Sequence, residues 1–153
     1  MVHFFELLAG TIWLRPYVFI FLGAYLVIAT WHLGAGRALA FLVLGYLVSW
    51  AAEFWSIHFG FPFGDYVYIP ATVNRELWVA GVPLMDSLSY VFLAYASYSL
   101  ALVAVTPGHW QGRDFSLPGE AALRGTWRPL WLGAVLMVAL DIVIDLLDEL
   151  GHF

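Results

Sequence analysis

The sequence predicts an all-α polytopic membrane protein: a helical bundle of about four transmembrane helices plus a short N-terminal interfacial helix. Three observations predict it. Of 153 residues, 63% are hydrophobic and 11% charged, against roughly 45–50% and about 25% in soluble domains. A chain this short cannot hide that much apolar surface inside a water-facing globule. The apolar residues also gather into runs long enough for a hydrocarbon layer about 30 Å thick, which needs about 20 helical residues. Finally, 18% of residues are aromatic, which excludes a disordered chain.

The elements follow in order. Residues 1–13 are apolar but too short to cross, so they form an interfacial or re-entrant segment. They lack the basic start of a signal peptide, because His3 and Glu6 precede the first arginine, Arg15. The first span covers about residues 15–31, with Pro16 at a helix start and Arg15 placed to snorkel. The second covers 38–59. The third, 83–105, is again opened by a proline, and the fourth covers 129–147. A short connection (32–37), a medium one (60–82) and a polar one (106–128) join them. No internal repeat is visible, so the chain is expected to be a single transmembrane domain over residues 1–153.

Composition excludes several chemistries. Cysteine is absent, so there is no disulfide, thiolate metal site or cysteine nucleophile. Lysine is absent, which removes Schiff-base and P-loop chemistry. A net charge of -5 offers nothing to nucleic acid. The histidines are scattered without ligand spacing, so no metal site is expected. Arg37, Arg113, Arg124 and Arg128 lie in the first and third connections, against Arg15 and Arg75 on the other side. This places those two connections in the cytoplasm and the chain in the cell (inner) membrane.

The acids carry the chemical signal. At roughly 1.5 Å per helical residue, Glu53, Asp86 and Asp141 fall about 5–10 Å below the same membrane face. The connection with Asp65, Tyr66 and Tyr68 covers that face. Tyr46, Ser49, Trp50, Glu53 and Ser56 share one side of the second span. Asp86, Tyr90 and Ser97 form a stripe on the third, and Asp141, Asp145 and Asp148 on the fourth. A carboxylate facing lipid costs several kcal/mol, so these stripes are expected to face inward around a cavity. Tyr46, Ser49 and Ser97 suit interhelical glue, worth about 0.6 kcal/mol each. Asp148 and Glu149 sit near the end of the last span, where water reaches them. Asp86 has an alternative role as a negative charge near a helix N-terminus. Glu53 and Asp141 are the acids to which a function is assigned.

A carboxyl group in low dielectric keeps its proton and can act as a general acid. Aromatic faces stabilise a cation without trapping it. Trp50, Phe54, Phe61, Phe63, Tyr66, Tyr68 and Tyr90 are the candidate walls, with Asp86 beside them.

The stretch from Glu53 holds Gly60-Phe61-Pro62-Phe63-Gly64-Asp65-Tyr66-Val67-Tyr68, then Gly81-Val82-Pro83-Leu84. With Asp141 and Asp145 on a later helix, this resembles the carotenoid biosynthesis membrane-protein family, which includes carotenoid end-group hydratases. The resemblance spans roughly residues 38–147. It implies a cofactor-independent, acid-catalysed hydration of a terminal double bond of a carotenoid or other polyisoprenoid lipid. Glu53 is then the first candidate for proton donor and Asp141 the second, with Asp65 and Asp145 candidates to handle the incoming water. Other readings stay open. The chain would serve as a non-catalytic pigment-binding or assembly subunit alongside other membrane subunits. It would act as a carotenoid cyclase, which loses a proton instead of adding water. Or it would be a metal-dependent prenyl transferase, with Asp141 and Asp145 holding magnesium.

Overall fold

The computed structural model describes residues 2–68, 70–111 and 114–150. They divide into two compact units, residues 1–92 and 93–153.

The first unit begins with helix α1 (Val2–Leu14), followed across Arg15 by α2 (Pro16–Leu33), which opens on Pro16. Proline suits that position because its missing N–H has no helical partner there. Helix α3 (Ala35–Phe59) starts one residue after α2 ends. Gly34 joins them with φ +84° and ψ 151°, a backbone conformation that a side chain disfavours. The expected connection over residues 32–37 therefore shrinks to one residue. The Tyr25 hydroxyl donates to the Ala38 carbonyl at 2.7 Å across this joint. Tyr25 also sets its ring against Phe41 and Phe92.

The medium connection has structure of its own. After α3 stops at Gly60, the chain passes a 3-10 turn (Pro70–Thr72) and then a ribbon of β1 (Trp78–Val79) and β2 (Val82–Pro83). The pairing is antiparallel, with Trp78 opposite Pro83 and Val79 opposite Val82. Helix α4 (Leu84–Val105) follows at once.

The second unit holds the remainder of α4, then β3 (His109–Gln111) and β4 (Asp114–Ser116), paired antiparallel. A short α5 (Glu120–Leu123) and the long α6 (Trp127–Leu150) complete it. Arg124 donates to Glu120 at 2.6 Å, one helical turn away.

Among the described residues, α2, α3 and α4 are long and apolar enough to cross a membrane. Their outward positions, such as Ile20, Phe21, Leu44 and Val48, are exposed large apolar side chains. In water such a surface would drive aggregation, whereas lipid solvates it. The expected all-α membrane bundle and the short apolar N-terminal helix are both present. The expected second and third spans coincide with α3 and α4, and the first lies within α2 and its flanking Arg15. The expected fourth span falls within α6.

Candidate functional site

The site grows from one face of α3. Ser49, Glu53 and Ser56 recur at helical spacing, and Glu53 and Ser56 are fully buried. Glu53 is only 1% exposed. Its Oε2 accepts hydrogen bonds from the Tyr68 hydroxyl at 2.9 Å and the Ser87 hydroxyl at 3.2 Å. Its Oε1 accepts a longer one from Ser49 at 3.4 Å. Three elements therefore converge on one carboxyl: α3, the connection after it and the first turn of α4. Among the described residues no cation pairs with Glu53.

That partner set has a chemical consequence. Hydroxyl groups rotate and can donate or accept. A cage of hydroxyls can therefore hold a carboxyl in either protonation state, whereas a guanidinium would favour only the ionised one. Burial, followed by the Glu53 charge, pushes the Tyr68 phenol well above its ordinary value. Tyr68 thus stays protonated and keeps its hydrogen to donate.

The connection is tied down locally. The Phe63 N–H donates to the Ser56 hydroxyl at 3.0 Å, while that hydroxyl donates to the Ala52 carbonyl at 2.9 Å. Trp50 Nε1 donates to the Val79 carbonyl at 3.1 Å, fixing the β ribbon to α3. The Tyr68 ring meets Tyr66 and Trp78 edge-on, with centroids 5.5 and 5.8 Å apart. An open cavity of about 320 Å³ adjoins this cluster, lined by Ile57, Asp65, Tyr66 and Val67.

A second cluster lies at the start of α4. Arg15 pairs with Asp86, and its Nε lies 3.5 Å from Glu76 Oε2. Glu76 is 1% exposed and also takes a hydrogen bond from Thr72. The sequence led us to expect Arg15 to snorkel at the start of the first span; its side chain is committed to this cluster. It is held between two carboxylates.

The sequence-predicted residues distribute as follows. Glu53, Tyr68 and Tyr66 come together as one group. Trp50 and Phe54 stack along α3 with centroids 5.3 Å apart. Asp86 belongs to the Arg15 cluster, and its neighbour Ser87 is the residue that touches Glu53. Tyr90 is half-buried further along α4. Phe61 and Phe63 are exposed, at 72% and 58%. Asp65 is exposed on the rim of the cavity. Asp141 lies on α6 in the second unit and is partly buried. The side chain of Asp145 lies outside the described residues. Sequence reasoning missed Ser87, Trp78 and Glu76. The heptad offset between Ser49 and Ser56, with Glu53 between them, signals the α3 side of the cage. No comparable pattern marks Glu76.

Comparison with known proteins adds one finding. The family described as "Carotenoid biosynthesis protein" matches residues 14–147. No curated protein and no solved structure shows significant similarity to the chain.

Proposed function

The chain belongs to the carotenoid biosynthesis protein family, and from that premise we propose that it hydrates a terminal double bond of a carotenoid. Its role in carotenoid biosynthesis follows from the family; the reaction is our reading. The observation that carries it is Glu53, buried, held by three hydroxyls and free of any cation among the described residues.

The reaction needs an acid strong enough to protonate a trisubstituted alkene. Glu53 gives its proton to the less substituted alkene carbon, which leaves a tertiary cation on the other. Water bonds to that carbon, and its surplus proton returns to a carboxylate, so the acid is regenerated. Tyr66, Tyr68 and Trp50 offer aromatic faces toward the developing charge. Asp65, on the rim of the 320 Å³ cavity, is placed where water arrives. No redox step is involved, so the chemistry calls for no redox cofactor. Asp141, as a second candidate donor, and Asp145, as a candidate to handle water, are carried over from the resemblance alone. An extended carotenoid is about as long as a bilayer is thick, so its end group reaches the depth of Glu53 from within the lipid. Counting Arg37, Arg113, Arg124 and Arg128 against Arg15 and Arg75, our reading has the site on the non-cytoplasmic face.

The test is pigment analysis of a host that makes an acyclic carotenoid and expresses the full chain. A product heavier by one water is expected with wild type and absent with Glu53→Gln. An unchanged hydrated yield with Glu53→Gln removes Glu53 from the chemistry. Pigment retained by the purified protein without any mass change supports a binding subunit instead. A product of unchanged mass but altered chromatography supports a cyclase.

A further inference from the structure

Helix α1 ends at Leu14, so nearly all of it precedes the family-matched region, yet it grips the connection that carries Tyr68. Thr11 is fully buried and its hydroxyl accepts the Leu77 N–H at 2.8 Å while donating to the Leu7 carbonyl at 2.7 Å. Gly10 lies so close to the Arg75 carbonyl oxygen that any Cβ there would overlap it. One turn later, Arg15 holds Glu76 from the connection and Asp86 from α4. The Leu77 carbonyl in turn accepts the Leu84 N–H at 2.9 Å. Residues 75–77 are thus fastened from the α1 side and from the α4 side.

These fastenings bracket the Glu53 cage. Tyr68 precedes the gripped segment, and Ser87, one residue beyond Asp86, follows it. Both donate to the same Glu53 oxygen. We propose that α1 and Arg15 form a clamp that sets the Tyr68 and Ser87 hydroxyls on Glu53, with Arg15 a positioning residue that never touches substrate. As a positioning device for hydration it rests on the function proposed above. As a clamp on residues 68–87 it stands without it. Arg15 also pairs with Asp86, the carboxylate nearest in sequence to the cage serine, while among the described residues no cation pairs with Glu53.

The experiment pairs amide hydrogen exchange on the purified full-length chain with the pigment assay. Thr11→Val keeps the side-chain shape and removes the acceptor for Leu77, and Arg15→Gln removes the charge. Both are expected to speed exchange over residues 63–79 roughly tenfold and to lower the hydrated yield. Arg15→Lys is expected to restore part of each. Glu53→Gln is expected to abolish the yield with exchange unchanged. If Glu53→Gln leaves the yield intact, hydration by Glu53 fails while the exchange data still judge the clamp. Wild-type exchange in both Thr11→Val and Arg15→Gln overturns the clamp. So does a fall in yield without faster exchange.

Discussion

At the scale of single residues, the Glu53 cage makes a definite statement about Tyr68. Replacing it with phenylalanine removes the 2.9 Å donor from a buried carboxyl, which costs about 1–3 kcal/mol. We expect a corresponding loss of roughly tenfold to a hundredfold in turnover, read as product formed per unit protein. The pH dependence has a sign. Burial first, then Glu53, raises the phenol above its ordinary value. Its stabilising contribution is therefore complete below about pH 10 and declines as pH rises beyond that. Ionisation of the phenol is thus expected to add nothing to the ratio of wild-type to Tyr68→Phe activity from pH 5 to 9, on a scale where an unshifted phenol ionises near 10. A ratio that changes in that range would report Glu53 responding to the loss of its Tyr68 hydrogen bond. Glu53 and Tyr68 were legible in the sequence because an intramembrane acid is expensive and the tyrosine sits in a distinctive glycine-aromatic block. Ser87 was not legible, since its neighbour Asp86 drew the helical stripe toward itself. Nor was the Arg15–Asp86 pair, whose members lie 71 positions apart.

At the scale of elements, the long helices declared themselves through unbroken apolar runs. The ribbons β1–β2 and β3–β4 did not, because two or three residues are too few to show period-two alternation. The α2–α3 joint was misjudged for a related reason. Residues 32–37 contain polar groups and two glycines, which usually mark a loop. Yet one glycine in a positive-φ conformation lets both helices run to within a residue of each other. Gly34→Ala would place a Cβ on that backbone. The added side chain is expected to destabilise the joint by about 1–3 kcal/mol, seen as a lower thermal midpoint in detergent. Gly23→Ala, on the exposed side of α2 with no atom near its Cβ position, should leave stability equal or slightly higher, because alanine favours a helix by about 1 kcal/mol over glycine. The pair separates a conformational demand at Gly34 from a general intolerance of alanine in α2.

At the scale of the whole molecule, composition points to lipid as the solvent, and arginine placement predicts an orientation that labelling can test. The number of crossings is a sharper question, because α2, α3 and α4 satisfy length and hydropathy while α6 carries Asp141 and Asp145 within its 24 residues. The chain has no cysteine, so single cysteines can be introduced one at a time and labelled from either side of intact cells. The positions are Val73 in the connection after α3, Pro118 between β4 and α5, and an added residue after Phe153. One crossing, α4, separates the first two, so Val73 is expected to label from outside and Pro118 only after the cells are opened. If α6 crosses as well, the C-terminal label is reached from outside, with Val73. The acidic face of α6 would then span the bilayer at a cost of several kcal/mol for each uncompensated charge, which its aspartates escape only by facing protein or water. A C-terminal label reached only from the cytoplasmic side would place Asp141 and Asp145 on a helix lying along that surface. Asp141 would then be withdrawn as a candidate proton donor, and Asp145 as a candidate to handle water.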